Sequence, residues 1–325
     1  MAQFEPLFKN PHVQTIAGRF WPRTAGGARV PVEEKLYRTE PHVQLLVKTQ
    51  KPAGGSRGDV LIVHGLEGSA DATYMRSMAL CAIERGYTAH RLNLRSCGGT
   101  EHLASRTVYH GGLTSDLLAV LQALATEGRT PLWMVGFSLG GNLAVKLAGE
   151  LGDGGPALLA GVCVASAALD LAACAERLNR PENRLYEYRF LRLMRARART
   201  VWGTDPAELR AIRSVRDMDD RITAPRLGFE GADHYYRTQS CNQFLDRIRV
   251  PTLFIAAKDD TVIPFTSYDH PAFRQNPYLC LLATDHGGHL GFLAKGRSRL
   301  WLEHAIMGWI AGNNETNGPL ISSGN

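Results

Sequence analysis

From residue 59 onward the chain alternates short apolar runs with segments of helical pattern, and this alternation constrains the fold more than any other feature. Most of the runs are nearly continuous in apolar residues, which is typical of parallel strands covered on both faces. Strand–helix alternation predicts an α/β architecture with a mostly parallel sheet, helices on both faces and right-handed crossovers. Eight strand candidates are present: Val30–Thr39, His42–Gln50, Asp59–Gly65, Tyr87–Arg95, Pro131–Phe137, Leu158–Ala167, Pro251–Lys258 and Leu279–Thr284. Helical patterns cover Ala72–Arg85, Thr114–Thr126, Leu139–Leu151 and Ser298–Ala311.

Residues 170–249 interrupt this alternation between two strand candidates. The segment is rich in Arg and in helix-forming residues, so we expect a helical insertion that forms a lid at the carboxyl edge of the sheet. The rest of the chain shows no sign of a second domain, and we expect one domain over residues 1–325. Residues 312–325 are mostly Gly, Asn and Ser, which predicts a disordered tail.

A basic amphipathic helix is predicted inside this insertion. Its apolar residues recur at roughly helical spacing, at Leu185, Tyr188, Leu191, Ala198 and Trp202, and its basic residues on one side are Arg192, Arg195 and Arg199. Most charge runs are solvated faces, which is the interpretation we favour here. A peripheral contact between this Arg-rich lid and anionic lipid is the alternative.

The net charge of +6 is concentrated in the same region. Between Glu176 and Arg216, eleven Arg stand against five acidic residues, which accounts for the whole excess. A basic footprint spread over a domain is therefore absent, and the sequence argues against a nucleic-acid partner.

Composition bounds the class of protein. With 44% hydrophobic and 21% charged residues, the chain has an ordinary globular composition. No run approaches the roughly 18 apolar residues of a membrane span, and the first residues carry no apolar signal region. Six cysteines are scattered without a CxxC pair, at Cys81, Cys97, Cys163, Cys174, Cys241 and Cys280. This usage predicts reduced thiols and a cytoplasmic location.

The strongest motif is GFSLGG, residues 136–141, which contains Gly-x-Ser-x-Gly centred on Ser138. An apolar strand candidate leads directly into it, and a helical pattern leads directly out. A serine on so sharp a strand-to-helix turn must adopt a strained backbone conformation, and glycines leave the room that the turn needs. This context predicts a nucleophile at Ser138 rather than a Gly-rich turn with an incidental serine.

A serine hydroxyl is a weak nucleophile until a histidine accepts its proton, and a carboxylate must orient that histidine. Downstream of Ser138, Asp259 and Asp260 directly follow an apolar strand candidate. After the next strand, TDHGGHLGF places His286 and His289 on a Gly-rich loop. We assign the acid to Asp260 and the base to His289, with Asp259 and His286 as neighbours that remain open alternatives.

Two backbone N–H groups are candidates for holding an oxyanion. Leu139 follows the serine at a helix N-terminus, where the helix dipole favours negative charge. Leu66 follows His64-Gly65 at the end of the third strand candidate, the position from which a second donor is expected. A metal role for His64 is disfavoured, since the sequence has no HExxH and no clustered Cys/His spacing. We expect neither a metal nor an organic cofactor.

The loop Arg95–Gly99 borders the expected site. Arg95 is a candidate for holding an anionic substrate group, although the favoured interpretation is that it and the glycines shape a tight turn. Asp116 stands at the start of a predicted helix, where we interpret it as a favourable N-terminal charge.

With these motifs assembled, the sequence resembles the YheT-like family of α/β-hydrolases over almost its whole length. The resemblance is carried by NPHVQTI, HGLEGSADATYMRSMA, NLRSCGGTEHLASRTVYHGG, GFSLGGN, APRLGFEGADHYYRTQS, DD-x-x-IP and HGGHLGF. It implies a carboxylic-ester hydrolase whose Ser-Asp-His triad maps onto Ser138, Asp260 and His289. Eukaryotic relatives that act on lipids make a small-molecule or lipid-like ester the expected substrate.

We therefore expect a serine hydrolase that cleaves short- to medium-chain or lipid-like esters through an acyl-enzyme. Thioester or amide hydrolysis on the same triad is one alternative, and a non-catalytic binding module with the same fold is another. The sequence leaves the oligomeric state open.

Overall fold

A single eight-stranded sheet organises the part of the chain that the computed structural model describes, residues 3–22, 30–129, 131–296 and 299–316. Its strands are β1 (Glu33–Glu40), β2 (Val43–Gln50), β3 (Asp59–Val63), β4 (Thr88–Leu92), β5 (Leu132–Phe137), β6 (Leu159–Ala165), β7 (Thr252–Ala257) and β8 (Leu279–Thr284). They lie in the order β1-β2-β4-β3-β5-β6-β7-β8. Only the pairs β1–β2 and β2–β4 are antiparallel. The predicted α/β class with a mostly parallel sheet is confirmed.

Helices connect these strands and fill the insertion. They are α1 (Pro11–Phe20), α2 (Thr73–Glu84), α3 (Thr114–Thr126), α4 (Leu139–Leu151), α5 (Leu171–Leu178), α6 (Arg184–Trp202), α7 (Pro206–Ala211), α8 (Val215–Met218), α9 (Ala224–Arg226), α10 (Ala232–Gln239), α11 (Ala272–Gln275) and α12 (Trp301–Thr316). A π-helical turn, Asp219–Thr223, joins α8 to α9. Short 3₁₀ segments are Glu101–Leu103, Gly152–Ala157, Pro181–Asn183, Cys241–Arg247 and Phe265–Tyr268.

Alternation along the strands gives the sheet two apolar faces. Leu61 packs into one core with Val120 of α3 and Leu143 of α4, whereas Ile62 packs into the other with residues of α2 and α12. Successive side chains of a strand point to opposite faces, so a continuous apolar run such as β3 serves both cores. This explains why the central strands lack a polar face.

The sheet topology determines where a site can form. From β3 the chain crosses to β4 on one side, and from β4 it returns to β5 on the other side of β3. A crevice opens outside the carboxyl ends of parallel strands where the strand order reverses. The loops that follow β3, β5, β7 and β8 all leave the sheet at this edge.

Residues 170–249 lie between β6 and β7 and are helical over most of their length. Leu171, Leu191, Val215 and Tyr235 of this insertion join the core on the α3–α4 side. Its last helical segment, Cys241–Arg247, lies against α4, where a Cβ on Gly149 would be 2.5 Å from the carbonyl oxygen of Phe244.

The predicted apolar stripe of α6 is wrong at its beginning. Leu185 and Tyr188 are 76% and 65% exposed, whereas Leu191, Met194 and Ala198 are buried. At about 100° per residue, Leu185 falls about 180° from Met194 around the helix. Among the basic residues expected on one side, Arg192 and Arg199 are exposed, while Arg195 donates to the carbonyl oxygen of Ile212.

The chain end also differs from expectation. The predicted last helix began at Ser298, which lies outside the described residues, and ended at Ala311. The observed α12 continues to Thr316, so residues 312–316 of the predicted tail are helical. Residues 317–325 lie outside the described residues. All six cysteines are described, and each is a free thiol.

Candidate active site

Ser138 occupies the turn between β5 and α4 with a strained backbone. Its φ of 54° and ψ of −118° lie in a region that non-glycine residues rarely adopt. Its N–H donates to the carbonyl oxygen of Ala165 at 3.0 Å, which holds the turn against β6. The strained turn that the motif predicts is present, and it presents the hydroxyl at the carboxyl edge of the sheet.

The structure brings Ser138, His289 and Asp260 together from three separate loops. The Nε2 atom of His289 lies 3.1 Å from Oγ of Ser138. Its Nδ1 atom lies 3.1 Å and 3.2 Å from the two carboxylate oxygens of Asp260. An ionised carboxylate only accepts hydrogen bonds, so Nδ1 carries the proton and Nε2 is free to accept one from the serine hydroxyl.

Asp260 is held rigidly behind the imidazole. The residue is 3% exposed, and Oδ1 also accepts from the N–H groups of Val262 and Ile263 at 2.8 Å and 2.9 Å. These bonds fix the carboxylate at the end of β7, where the parallel strands deliver it to the sheet edge.

Asp259 and His286, the alternative acid and base in the sequence, make contacts outside the Ser138 site. Asp259 accepts from the N–H of Gly288 at 2.9 Å, and its other oxygen lies 3.1 Å from Nδ1 of His286. Both contacts brace the loop that carries His289. Neither Asp259 nor His286 contacts Ser138 among the described hydrogen bonds.

The two residues that carry the oxyanion candidates lie beside Ser138. Leu66 and Leu139 line a common cavity with the serine. Within the described part of the chain, neither backbone N–H has a hydrogen-bond acceptor. Gly65 allows this close approach, since a Cβ there would lie 3.0 Å from Cβ of Ser138.

The side chain of His64 contacts the backbone of the loop that carries Leu66. Its Nδ1 lies 2.8 Å from the carbonyl oxygen of Gly65, and the N–H of Leu94 donates to its Nε2 at 3.1 Å. Both contacts require the neutral ring protonated on Nδ1, and burial lowers the pKa of His64 to about 4. Because both ring nitrogens are engaged, His64 has no nitrogen left to ligate a metal.

Helix α1, which the strand and helix patterns did not predict, also positions the site. The N–H of His289 donates to Oγ1 of Thr15 at 2.8 Å. Asn10 caps this helix by accepting from the N–H groups of His12 and Val13, and Pro11 follows at the first helical position. Asn-Pro at a helix start is a recognisable signal in NPHVQTI.

Two cavities meet at Ser138. One lies under the insertion, has about 730 Å³ of empty space including its open part, and is lined mainly by buried apolar side chains such as Leu171, Leu178 and Met194. The other reaches the surface between α1, the loop after β3 and the start of α6, and has about 1880 Å³ of empty space including its open part. Ser138 lines both, whereas His289 lines only the open groove.

Arg95 belongs to the scaffold and lines neither cavity. Its buried guanidinium donates to both carboxylate oxygens of Asp116, at 3.0 Å and 2.6 Å, and to Glu40 at 2.7 Å. The alternative that it holds an anionic substrate group therefore finds no support. Asp116 lies in the first turn of α3 as predicted, and it is also the buried partner of this arginine.

Comparison with known proteins decides the family. The family model described as the alpha/beta hydrolase fold matches residues 59–295. The chain belongs to the α/β-hydrolase fold family. The Escherichia coli protein YheT, which its name provisionally calls an esterase, is 32% identical over 322 residues, covering 95% of this chain and 93% of YheT. The resemblance to YheT noted from the motifs is thus confirmed.

A further relative of this α/β hydrolase is named a phospholipase, and a solved esterase shares its fold. The mouse phospholipase ABHD3 is 30% identical over 245 residues, which cover 73% of this chain and 59% of ABHD3. An esterase of known structure, Pf2001 from Pyrococcus furiosus, superposes with a TM-score of 0.57 at 16% identity, covering 90% of this chain and 96% of that chain. The latter likeness concerns the fold.

Over its described residues, this α/β hydrolase has no helix that is both long and apolar enough to cross a membrane.

Proposed function

We propose that this α/β hydrolase cleaves carboxylic esters as a serine hydrolase, with Ser138 as nucleophile, His289 as base and Asp260 as the acid that orients the imidazole. The observation that carries the proposal is the 3.1 Å contact between Nε2 of His289 and Oγ of Ser138, with a buried carboxylate against Nδ1. Nucleophile, base and orienting group within hydrogen-bond reach of one another characterise an activated serine.

The chemistry proceeds in two balanced halves. His289 takes the hydroxyl proton as Ser138 attacks the acyl carbonyl carbon, and the carbonyl oxygen becomes an oxyanion. As the intermediate collapses, the bond to the alcohol oxygen breaks and His289 gives its proton to that oxygen. Water then attacks the acyl-serine with the same proton transfers, which releases the acid and restores Ser138. Asp260 stabilises the imidazolium that forms in each half.

The N–H groups of Leu66 and Leu139 hold the oxyanion in both halves. They come from different elements, the loop after β3 and the first residue of α4, and both line the cavity beside Ser138. A donor of this kind typically contributes about 3–4 kcal/mol of transition-state stabilisation. The preferred substrate therefore places its carbonyl oxygen between these two amides.

The substrate class follows from the cavities and the relatives. The apolar cavity under the insertion suits a short- to medium-chain acyl group, and α5–α10 act as its lid. The names of YheT and ABHD3, an esterase and a phospholipase, support an ester or lipid-like substrate. Six free cysteines support a cytoplasmic location, since reducing compartments keep thiols unpaired.

Replacement of Ser138 tests this function. Ser138→Ala should lower the turnover of a p-nitrophenyl ester by about 10⁴-fold or more and abolish labelling by a fluorophosphonate probe. Ser267→Ala, a partly exposed serine that lines neither cavity, is the matched control. Near-native activity of Ser138→Ala would refute the assignment. Matched thioester and amide donors, assayed alongside, show whether the ester is the preferred bond, and an unlabelled native protein would identify a binding module.

A further inference from the structure

Two arginines line the open groove and do not line the apolar cavity. Arg19 comes from the last turn of α1 and Arg189 from the first half of α6. Both helices lie outside the sheet, so the groove gains its positive charge from two separate elements. Among the described residues that line the apolar cavity, Arg197 is the one arginine, and its charge is paired with Glu67.

Neither groove arginine has a counter-ion among the residues that the structure describes. The contacts of their guanidinium groups are with the adjacent rings of Phe20 and Phe190, at 5.7 Å in each case. The two acidic residues that line the groove are engaged elsewhere. Glu67 pairs with Arg197, and Asp71 pairs with Lys48 and Arg91.

The position of Arg189 is electrostatically unfavourable as it stands. Its side chain is half-buried, and burial together with the nearby charges of Arg19 and Arg192 lowers its pKa, although Tyr74 and the charge of Glu67 act in the opposite direction. A partly desolvated cation without a partner is costly, and a bound anion removes that cost. Guanidinium groups that line one groove can also hold a phosphate or carboxylate through paired hydrogen bonds.

These charges act on a tyrosine whose hydroxyl contacts the loop after β3. The hydroxyl oxygen of Tyr74 accepts from the N–H of Gly65, next to Leu66, and Tyr74 lines the same groove. Arg19 and Arg189 both lower the pKa of this phenol, against the larger effect of burial. A group attached to the leaving alcohol would extend from Ser138 along this side.

We propose that Arg19 and Arg189 bind an anionic group, a phosphate or a carboxylate, carried by the alcohol part of the ester. The inference rests on the proposed esterase function and adds the charge of the substrate to it. The acyl chain occupies the apolar cavity and the charged alcohol occupies the open groove, so each cavity takes the part of the substrate that matches its lining.

Three esters of one acyl chain test this selectivity: hexanoylglycerol, hexanoylglycerol 3-phosphate and the hexanoyl ester of glyceric acid. We expect kcat/KM of the native protein to be about tenfold or more higher for a charged ester than for hexanoylglycerol. Preference for the phosphate ester or for the carboxylate ester then identifies which anion is the ligand. Equal kcat/KM for all three esters overturns the inference while the esterase function stands.

Variants assign the selectivity to the two arginines. Arg189→Gln and Arg19→Gln should each reduce the charged-to-neutral ratio of kcat/KM several-fold, mainly through KM, and Arg189→Lys should retain part of it. Arg199→Gln is the control, since Arg199 is exposed on the same helix and lines neither cavity. If the Arg19→Gln/Arg189→Gln double variant keeps the native charged-to-neutral ratio of kcat/KM, the assignment of the selectivity to these arginines is overturned.

Binding measurements separate this inference from the esterase function. Calorimetry on Ser138→Ala should give a lower Kd for hexanoylglycerol 3-phosphate or for the glyceric acid ester than for hexanoylglycerol. Increasing salt should weaken the binding of the charged ligands only. If the native protein cleaves none of the esters but binds a charged one through Arg189, the anion site stands and the esterase function fails. Absence of selective binding overturns the anion site.

Discussion

Arg197 on α6 and Glu67 on the loop after β3 form an ion pair of 2.5 Å that joins the insertion to the site. Both side chains are nearly buried, at 10% and 8% exposure. The N–H of Glu67 donates to the hydroxyl of Tyr109 at 2.8 Å, and the Arg197 guanidinium lies 4.5 Å from the centre of the same ring. Because Glu67 follows Leu66 directly, the insertion holds one of the two proposed oxyanion donors in place.

Breaking this pair should affect stability and turnover together. Arg197→Met leaves the Glu67 carboxylate buried without its partner, which typically costs about 3–5 kcal/mol of unfolding free energy. We expect kcat to fall more than KM rises, since the displaced N–H of Leu66 acts in the transition state. Urea unfolding and steady-state kinetics measure the two effects.

An exposed ion pair on the same insertion provides the control. Arg216 and Asp233 pair at 2.5 Å with side chains that are 40% and 81% exposed. Arg216→Met should change the unfolding free energy by about 1 kcal/mol or less and leave kcat near native. If Arg197→Met behaves like Arg216→Met, the insertion does not hold the Leu66 loop.

Asp260 and Asp259 are adjacent in sequence and should differ greatly in effect. Asp260→Asn removes the acceptor for Nδ1–H of His289 and favours the wrong tautomer, so kcat should fall by about 10³–10⁴-fold. Asp259→Asn weakens only the bracing contacts to His286 and Gly288, and a loss below about tenfold is expected. A comparable loss in both variants would contradict the roles inferred from the geometry.

The buried His64 and the partly buried His110 predict acid destabilisation. Burial lowers the pKa values of His64 and His110 to about 4, from 6.5. Well above pH 6.5 both rings are neutral in the folded and unfolded chains. As the pH falls from 6.5 towards 4, these histidines bind protons in the unfolded chain but not in the folded chain. The free energy of unfolding therefore declines by up to about 3 kcal/mol per histidine. Urea unfolding at pH 7 and pH 5 measures the decline.

Removing one of these rings should flatten the pH dependence. His110→Gln should show a smaller loss of unfolding free energy between pH 7 and pH 5 than the native protein. His102→Gln, at an exposed position, should match the native profile. The same decline in His110→Gln as in the native chain would show that His110 does not contribute.

Gly140 allows α4 to start directly against the end of β3. A Cβ at this position would lie 2.4 Å from the carbonyl oxygen of His64 and 2.6 Å from that of Val63. Both are backbone atoms, so a change of side-chain rotamer cannot relieve the clash. Gly140→Ala should therefore destabilise the fold by about 3 kcal/mol or more, measured by thermal or urea unfolding. Gly154→Ala, with nothing within 4 Å of the added atom, should stay within about 0.5 kcal/mol of native.

Elements with a strong local pattern were predictable from the sequence. The bounds of α3 and α4 agree with the predicted helices, and each predicted strand coincides with an observed one. Strand β4 ends at Leu92 rather than Arg95, because the N–H of Leu94 donates to the His64 ring instead of to a neighbouring strand. Periodicity reports which side chains a segment buries, whereas its end depends on neighbours that are distant in sequence.

The sequence by itself determined the α/β class, the strained turn at Ser138 and the order of serine, acid and histidine, since each depends on periodicity or on the chemistry of a few consecutive residues. Only the tertiary structure decided that Asp260 rather than Asp259 faces His289, that Thr15 holds the His289 loop, and that Arg197 pairs with Glu67. These contacts join segments 29, 274 and 130 positions apart, counted from the residue numbers. Local preferences carry no information on such distances, because the packing of the whole sheet and its insertion sets them.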